Sequence, residues 1–581
     1  MKDNAGVLVT LKKVLKFIGR YRFMLVLSMI LAAVSVILQL YIPILFGDAI
    51  DGIIGKGKVE FTLIASISVK ILILIVLASL ATWLMNLINN RLTYHTVRDI
   101  RAKAIRQIQH LPLSWLDQHS SGDIVQRIIA DTDQLSDGLL LGFNQLFSGI
   151  VMIIATLVFM FSKNFEISIL VVIMTPVSFF VAKFIASHSY KMFQKQNETR
   201  GTETALINEM IGGERIVKAF GYEERSSRKF RELNEKLQTY TQQAVFYSSL
   251  TNPSTRAVNN VIYALVALIG GFRIIQGGLT VGGLTVLLSY ANQYMKPFND
   301  ISSVVTELQN SLSCAARIFA MIEAEPESAE PEEELEDVKG DVSIENVSFS
   351  YDPKKPLIQD FNFHAKPGET VAIVGPTGCG KTTFINLLMR FYDPDDGNVS
   401  VDDKNTRSVT RHSLRRQIGM VLQETWLKHD TVRANIAFGK PDATDEEIRN
   451  AAIEAHAWDF IRRMPEGLDT VIDDDDLSQG QKQLLCIARV MLTKPAMLIL
   501  DEATSNIDTR TELLVQSGFT KLMQNRTSFT VAHRLSTIRN ADQILVMKDG
   551  HIIEQGTHES FMKAGGFYKE LYNSQFAGVS I

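Results

Sequence analysis

The stretch that decides the fold of the C-terminal part of the chain is ETVAIVGPTGCGKTTFINLL, residues 369–388. Its apolar beginning predicts a buried strand and its end predicts a helix, with the pattern Gly-x-x-x-x-Gly-Lys-Thr between them. This arrangement is typical of a loop that binds nucleotide phosphates, because glycines let backbone N–H groups approach phosphate oxygens and a helix N-terminus favours negative charge. We expect Lys381 to reach the β- and γ-phosphates and the Thr382 hydroxyl to contact Mg²⁺.

A second nucleotide-binding element follows at residues 496–508, AMLILDEATSNID. Its apolar residues predict a buried strand that ends at Asp501 and Glu502. If Asp501 and Glu502 were only an exposed pair of carboxylates, a buried strand would not be expected directly before them. Beside a phosphate loop, Asp501 can hold Mg²⁺ through water, and Glu502 is placed to polarise the water that attacks the γ-phosphate in line. The C-terminal part is therefore predicted to be an α/β P-loop ATPase.

Long apolar runs dominate the N-terminal part of the chain. Four of them contain no charged residue, and two weaker runs, 167–182 and 257–272, are bounded by charged residues. A membrane-spanning helix needs about 20 mostly apolar residues, and a large soluble core would account for one such run but not for four. We predict an all-α transmembrane domain over 1–322, with six spans at about 23–47, 61–88, 138–162, 165–187, 248–272 and 274–298.

The basic residues near the first span set the predicted orientation. Cytoplasmic segments of membrane proteins are rich in Lys and Arg, and five such residues precede the span: Lys12, Lys13, Lys16, Arg20 and Arg22. The N-terminus is therefore predicted to be cytoplasmic, and six spans return the C-terminus to the same side. The charged segments 91–137 and 183–256 have helical periodicity, so we expect long cytosolic helical extensions with hairpin tips within 111–128 and 203–220.

The acidic, Pro-containing stretch 323–340 predicts a solvated linker before a second domain over 341–581. The net charge of −4 and the pI of about 6.3 give no basic field for nucleic acid. The three cysteines, Cys314, Cys379 and Cys486, have neither zinc-site nor disulfide-framework spacing.

Further motifs make the chain resemble the ATP-binding cassette (ABC) family. They are the aromatic Tyr351, Gln423 in GMVLQE, LSQGQ at 477–481, Asp508 in SNID and His533 in TVAHRLS. The resemblance implies Glu502, His533 and Lys381 as catalytic residues and Thr382, Gln423 and Asp501 as Mg²⁺ ligands. It implies an ATP site composed of Tyr351, Gly375, Pro376, Thr377, Gly378, Cys379, Gly380, Lys381, Thr382, Thr383, Gln423, Ser478, Gly480, Gln481 and Asp508.

Six spans ahead of one cassette resemble an ABC half-exporter, in which two cassettes dimerise head to tail around ATP. The family signature is usually LSGGQ, whereas Gln479 replaces its first glycine here. Because Glu502 is retained, the chain resembles the catalytic-glutamate-bearing subunit of bacterial heterodimeric multidrug exporters. A heterodimer is therefore favoured, with a homodimer as the alternative. The aspartates 473–476 before the signature either form an exposed turn or face cytosolic loops of the membrane domain.

The predicted function is ATP-driven export of hydrophobic or amphipathic, drug-like compounds across a bacterial inner or plasma membrane. The expected partners are a second half-transporter chain, membrane lipids and a small hydrophobic substrate, with no nucleic acid. A lipid flippase and a peptide exporter remain open, and an ATP-gated channel is disfavoured because gating alone can dispense with Glu502. Polar residues on the spans are candidates for the substrate cavity or for contacts between helices: Gln39, Asn144, Asn259, Asn260, Asn292 and Gln293.

Overall fold

The computed structural model describes residues 2–53, 59–422, 425–473, 476–501, 507–531 and 535–576. The chain divides into two compact units. The first contains Met1–Leu111 and His119–Glu325, and the second contains Pro112–Gln118 and Pro326–Ile581.

The first unit is entirely helical in the residues that the structure describes. Its apolar segments favour helices, since each places a run of Leu, Ile, Val, Ala and Phe residues where no Gly-Pro turn interrupts it. Its helices are α1 (Lys2–Ile18), α2 (Arg22–Asp51), α3 (Phe61–Ile108), α5 (Ser121–Ile128), α6 (Ala130–Leu141), a π-helix (Gly142–Phe147), α7 (Ser148–Lys163), α8 (Phe165–Gly212), α9 (Glu214–Ala219), α10 (Glu223–Ile275) and α11 (Val281–Ile322), while α4 (Leu113–Asp117) belongs to the second unit.

Several of these helices are longer than a membrane is thick. Helix α3 has 48 residues and α10 has 53, which correspond to about 72 and 80 Å at 1.5 Å per residue. The hydrocarbon core is about 30 Å thick, so both helices extend well beyond it. By length and composition, four helical segments of the described chain can cross a membrane, and Phe165–Val177 is a shorter apolar segment. The four are Val9–Asp51, Phe61–Ile108, Ser121–Lys163 and Glu223–Ile275.

The start of the last long helix differs from the predicted sixth span at 274–298. Helix α10 continues to Ile275, and α11 begins only at Val281. Gly277 adopts a left-handed φ of +71°, and Thr280 caps α11 by accepting a hydrogen bond from the Gly283 N–H at 2.9 Å. The predicted start of the span is too early because it was based on apolarity alone, and the short turn before α11 contains no charged residue that would separate it from the span.

Polar contacts hold the two ends of the helical unit. At one end, the Arg273 guanidinium donates to Glu166 at 2.9 Å, and the Gly282 N–H donates to Asp51 at 2.7 Å. At the other end, Arg317 donates to the buried Asp131 at 2.8 Å. Between them lies an apolar core from five helices, fixed by a 2.6 Å hydrogen bond from the Tyr290 hydroxyl to the Leu40 carbonyl.

The second unit contains a six-stranded sheet with the order β12-β11-β3-β10-β9-β6 and a four-stranded antiparallel sheet with the order β2-β1-β4-β5. In the larger sheet, the five strands from β11 to β6 are parallel and β12 is antiparallel. The strands are β1 (Val342–Phe349), β2 (Ile358–Ala365), β3 (Thr370–Val374), β4 (Asp396–Val401), β5 (Lys404–Asn405), β6 (Ile418–Val421), β7 (Asp430–Thr431), β8 (Val471–Ile472), β9 (Met497–Asp501), β10 (Thr527–Val531), β11 (Gln543–Lys548) and β12 (His551–Gly556).

Helices cover the larger sheet, which is why its strands β3 and β9 are apolar on both faces. Residues 371–374 of β3 and 497–500 of β9 are all buried. The helices are α12 (Lys381–Leu388), α13 (Arg411–Arg416), α14 (Val432–Ile436), α15 (Asp445–Glu454), α16 (Trp458–Ile461), α17 (Gln479–Thr493), α18 (Thr509–Met523), α19 (Leu535–Asn540), α20 (His558–Ala564) and α21 (Phe567–Phe576).

The acidic stretch predicted as a solvated linker is held against the second unit. Arg411, only 5% exposed, donates to Glu330 at 3.0 Å and to the Ser328 carbonyl at 2.9 Å. Leu335 is 3% exposed, and Asp402 accepts hydrogen bonds from the backbone of 339–341. The boundary between the compact units therefore lies at 325/326. Most acidic side chains of the stretch are exposed, as the composition predicts, but the buried Arg411 guanidinium fixes the Glu330 carboxylate.

Candidate functional site

The phosphate loop follows β3 directly and leads into α12. A Cβ atom on Gly375 would lie 2.3 Å from the Met547 carbonyl oxygen, so no other residue fits there. Gly380 has φ +105° immediately before the helix, a conformation that side chains disfavour. The Lys381 ammonium donates to the carbonyl oxygens of Gly375 and Pro376, at 2.8 and 3.0 Å. The loop thus keeps a cation at its centre, next to the positive end of a helix dipole.

The other predicted loop residues divide by exposure. Pro376, Thr377, Gly378 and Thr382 are exposed, as residues that contact a ligand from solvent must be. Cys379 and Thr383 are buried, at 3% and 4% exposure. Burial raises the pKa of the Cys379 thiol, which keeps it protonated and unreactive.

The four strands that precede the predicted nucleotide-binding motifs end at one edge of the six-stranded sheet. Strands β3, β10, β9 and β6 are neighbouring and parallel, so their carboxyl ends lie along the same edge. Val531, the last residue of β10, pairs with Ile373 and with Asp501. The ends of parallel strands are where α/β sheets bind ligands. Gln423, Glu502 and His533 follow directly in sequence on β6, β9 and β10, but they lie outside the described residues.

Oxygen donors suited to Mg²⁺ occur at the same edge. Mg²⁺ prefers carboxylate, hydroxyl and water oxygens and retains several waters. Thr382 offers an exposed hydroxyl at the start of α12, and Asp501 offers a carboxylate at the end of β9. The donor chemistry of these two residues therefore fits a hydrated Mg²⁺ ion beside a nucleotide.

The LSQGQ motif forms the N-terminus of α17. Ser478 is the N-cap: its Oγ accepts from the Gln481 N–H at 3.4 Å, while Gln481 Oε1 accepts from the Ser478 N–H at 3.0 Å. This reciprocal pair is a capping box. The side chains of Ser478 and Gln481, both predicted to bind ATP, thus have a structural role within the chain. Backbone N–H groups of the first turn remain the donors suited to a phosphate.

The second glycine of the motif is required by packing. A Cβ atom on Gly480 would lie 2.3 Å from Cγ2 of Thr511. Thr511 in turn donates its N–H to Asp508 at 3.0 Å, which makes Asp508 the N-cap of α18. This backbone hydrogen bond lowers the pKa of Asp508. The first turns of α17 and α18 are therefore packed against each other at Gly480 and Thr511, and the sequence motifs did not identify Thr511.

Gln479 reaches a neighbour in its own chain. Its Nε2 donates to the Thr425 hydroxyl at 3.3 Å, two residues after Gln423. In the acidic run, Asp473 pairs with His429 Nδ1 at 2.9 Å, and Asp476 accepts from the Asp473 N–H at 2.7 Å. Asp474 and Asp475 lie outside the described residues. The described aspartates form a local turn. No spacing pattern pointed to Thr425 as the partner of Gln479 or to His429 as the partner of Asp473.

Tyr351, predicted to stack on a base, is 48% exposed. Its hydroxyl accepts from Asn386 Nδ2 at 2.9 Å, and the Tyr392 ring meets it edge-on at 5.0 Å. The Tyr392 hydroxyl donates to Asp117 on α4 at 2.5 Å. Burial and the Asp117 carboxylate raise the pKa of Tyr392 well above its usual range, so the phenol remains a donor at neutral pH.

Family models match both parts of the chain. A model described as "ABC transporter transmembrane region" matches residues 25–298, and one described as "ABC transporter" matches residues 358–505. A curated protein of Mycobacterium bovis, "Fatty acid ABC transporter ATP-binding/permease protein", is 38% identical over 531 residues, covering 90% of this chain and 84% of that protein.

The chain belongs to the ABC transporter family. It is also 35% identical over 567 residues to the "ATP-dependent lipid A-core flippase" of Desulfotalea psychrophila, covering 95% of this chain and 96% of that protein. Among solved structures, that of "a bacterial Atm1-family ABC exporter with ATP bound" matches with a TM-score of 0.79 and 27% identity, over 97% of this chain and 99% of the other. The predicted fold, a helical transmembrane domain followed by an α/β ABC ATPase domain, is confirmed, as is the ATPase activity class.

A cavity of about 510 Å³ lies among the helices of this ABC exporter's membrane unit. Three of the six polar residues proposed for substrate contact line it, namely Gln39, Asn144 and Gln293. Asn259, Asn260 and Asn292 are not among its lining residues. All six residues were predicted because they are polar residues within apolar spans. Which of them line the same cavity depends on how the helices pack.

Proposed function

We propose that the chain is half of a dimeric exporter that uses ATP hydrolysis to move hydrophobic or amphipathic compounds, including drug-like ones, out of the cell. One combination of features supports this most directly. The phosphate loop and Asp501 follow neighbouring parallel strands to one sheet edge, and Glu502 comes directly after Asp501 in the sequence. The same chain contains a cavity among its apolar helices. A channel would not need Glu502 to complete a hydrolytic cycle.

In the proposed reaction, Tyr351 stacks on the adenine and Lys381 binds the β- and γ-phosphate oxygens. Thr382, Asp501 and Gln423 would hold Mg²⁺, which when bound would neutralise charge on the phosphates. Glu502 polarises the attacking water, and His533 contacts the γ-phosphate. The first turn of α17 donates backbone N–H groups to the ATP of the other chain. Each ATP site therefore needs two chains.

Exposed apolar side chains at the tip 203–220 support the presence of a second chain. Ile211, Ile216 and Phe220 are 70%, 65% and 82% exposed in the single chain. The exposed charged residues Glu214 and Lys218 lie between them in the sequence, so these residues do not lie in a lipid-facing span. We propose that this tip docks on a cassette of the partner and transmits ATP-driven movement to the membrane helices. Exposed apolar groups of this size commonly mark an interaction site.

The partner is proposed to be a different half-transporter. Gln479 alters the signature that faces the other ATP, while Glu502 remains to serve this chain's own ATP. In a homodimer both sites would contain Gln479, whereas in a heterodimer one site combines Glu502 with an intact signature. The proposed dimer therefore contains one fast and one slow ATP site. The homodimer is the alternative.

A lipid flippase is the second candidate, because relatives include a fatty acid transporter and a lipid A-core flippase. Such substrates are amphipathic, in keeping with a cavity that combines amides with an apolar wall. The basic residues before α2 place both termini in the cytoplasm in this proposal, and the bacterial plasma membrane is the proposed location.

The test of this proposal is ATPase activity of the purified chain in lipid nanodiscs, alone and combined with a co-expressed half-transporter. We expect weak activity alone, a strong increase with the partner, and stimulation by hydrophobic compounds. A chain that forms a stable dimer alone, hydrolyses two equivalent ATP molecules and transports would contradict the heterodimer. Absence of ATP hydrolysis in every combination would contradict the export function itself.

A further inference from the structure

Three helix irregularities meet at the cavity in the membrane unit. Pro43 lies inside α2, Pro297 lies inside α11, and the π-helix Gly142–Phe147 separates α6 from α7. All three contribute residues to the lining. Proline and π-turns interrupt the regular hydrogen bonding of a helix, and such sites in membrane proteins are tolerated where they line a cavity or pack against protein. The cavity volume of about 510 Å³ lies in the range of small-molecule sites.

Side-chain amides supply hydrogen-bonding capacity at this cavity. Asn144 uses its oxygen to accept from Asn89 Nδ2 at 2.6 Å, which leaves its own NH₂ group as a donor. The Gln293 Oε1 atom is buried and has no hydrogen-bond partner among the described residues. A buried amide oxygen without a partner costs free energy, so a ligand group that hydrogen-bonds to this amide would be favoured. Rotation of the amide lets it donate or accept.

The charge of the cavity is positive. Among the residues described as lining it, Lys296 is the one charged side chain, and no carboxylate contributes to the lining. Lys296 is 15 residues into α11, which begins at Val281, or about 22 Å along the helix axis. Lys296 is exposed in the described structure, and it falls within the predicted sixth span, 274–298. A cation within a membrane span costs free energy unless it pairs with an anion or extends to the membrane–water interface.

Most of the remaining wall is apolar, with Gln39, Gln145 and Ser148 as the other polar lining residues. Ile42, Leu146, Ile150 and Ile153 line the cavity together with Met152, whose flexible thioether adapts to ligands of different shape. A neutral hydrophobic compound would leave Lys296 without a counter-ion, and a cationic compound would be repelled by it. In an amphiphile with a negative head group, the alkyl chain packs against the apolar wall and the head group pairs with the Lys296 ammonium.

We propose that this cavity selects amphiphiles with an oxyanion head group, a carboxylate or a phosphate ester. Lys296 pairs with the head group, the amides of Asn144 and Gln293 hydrogen-bond to it, and the apolar wall holds the alkyl chain. This inference names the substrate class of the proposed export function and rests on that function for its physiological meaning. Binding to the cavity itself requires no ATP.

The experiment measures equilibrium binding of radiolabelled palmitate to the full chain in nanodiscs, with competitors of equal chain length. The competitors are hexadecyl phosphate, hexadecanol and hexadecyltrimethylammonium. We expect at least one of the two anions, palmitate or hexadecyl phosphate, to compete at a concentration about tenfold lower than hexadecanol, corresponding to one well-placed ion pair. The cation is expected to compete most weakly. A preference for palmitate indicates a carboxylate site, and a preference for hexadecyl phosphate indicates a phosphate site.

Lys296→Gln is expected to bring the anions and hexadecanol to within about twofold of each other, whereas Lys296→Arg retains the preference. Lys163→Gln, which removes an exposed lysine at the end of α7 outside the lining, is the matched control. Lys296→Met serves as a second neutral variant if Lys296→Gln does not fold. Equal competition by all four compounds in the wild type, or an unchanged preference in both neutral variants, would overturn the inference. A charge preference without ATP hydrolysis would contradict only the export function.

Discussion

The nucleotide edge of the ATPase unit and the cavity of the membrane unit are built in different ways. At the edge, short motifs follow the ends of neighbouring parallel strands, so sheet register brings Gly375, Asp501 and Val531 together. At the cavity, Gln39, Asn144 and Gln293 come from three helical segments and meet only through helix packing. The edge is thus specified locally and serves one reaction. The cavity depends on distributed packing, which suits variation in the substrate.

The largest expected effect concerns the edge. Glu502→Gln removes the group that polarises the attacking water but leaves the phosphate loop intact. Hydrolysis is expected to fall by at least ~10²-fold with ATP affinity nearly unchanged. ATPase assays and binding of a fluorescent ATP analogue measure the two quantities. Glu446→Gln, at an exposed glutamate in the first turn of α15, is the control and should keep full activity. Near-normal turnover of Glu502→Gln would remove this residue from catalysis.

The next effect tests whether packing, rather than phosphate access, requires glycine at the signature. Gly480→Ala places a methyl group against Thr511 Cγ2, and overpacking of this kind costs about 1–3 kcal/mol. We expect a thermal unfolding midpoint several degrees lower and reduced ATPase activity. Adding Thr511→Ser removes the opposing methyl but keeps the hydroxyl, and should restore most of both losses. Failure of this second substitution to rescue would show that the methyl contact is not the cause.

A smaller effect is expected where α4 meets the ATPase unit. Tyr392→Phe removes the hydrogen bond to Asp117, and a hydrogen bond to a carboxylate contributes roughly 1–2 kcal/mol. The ratio of compound-stimulated to basal ATPase activity should fall about threefold. Asp117→Asn should have an effect in the same direction, since it weakens the acceptor. If both variants respond to compounds like the wild type, this contact does not transmit the signal.

The smallest effect is expected at Gln479. Its hydrogen bond to Thr425 is long, at 3.3 Å, and contributes at most about 1 kcal/mol. In a complex whose partner lacks the catalytic carboxylate, Gln479→Gly should change ATPase activity by less than about threefold, and Thr425→Val should behave similarly. A large gain in turnover from Gln479→Gly would mean that Gln479 itself limits hydrolysis at the second site.

Sequence patterns predicted the nucleotide edge well, because each motif carries its own local geometry. The strand–loop–helix around Lys381 and the apolar strand before Asp501 appear as expected. Placement of Gln423, Glu502 and His533 beyond their strand ends stays a prediction. The capping box of Ser478 and Gln481 could have been found from the sequence, since Ser followed by Gln three residues later is its usual signature.

Other features could not be predicted because they depend on residues far apart in the chain. The Tyr392–Asp117 contact joins positions 275 residues apart, and the cavity joins α2, the π-helix and α11. The acidic stretch 323–340 has the composition of a solvated linker, yet the buried Arg411 binds Glu330 within it. The composition of a segment predicts only its own preference for solvent. Its position in the structure also depends on hydrogen-bond donors elsewhere in the fold, such as Arg411.

The most direct test of ATP-driven export is accumulation of a labelled amphiphile in inside-out membrane vesicles that contain the chain and its partner. Accumulation should require ATP and Mg²⁺, proceed against the concentration gradient and be lost in Glu502→Gln, while Glu446→Gln vesicles accumulate the compound like the wild type. Equal accumulation without ATP, or undiminished accumulation in Glu502→Gln, would contradict the claim that hydrolysis at this edge drives export.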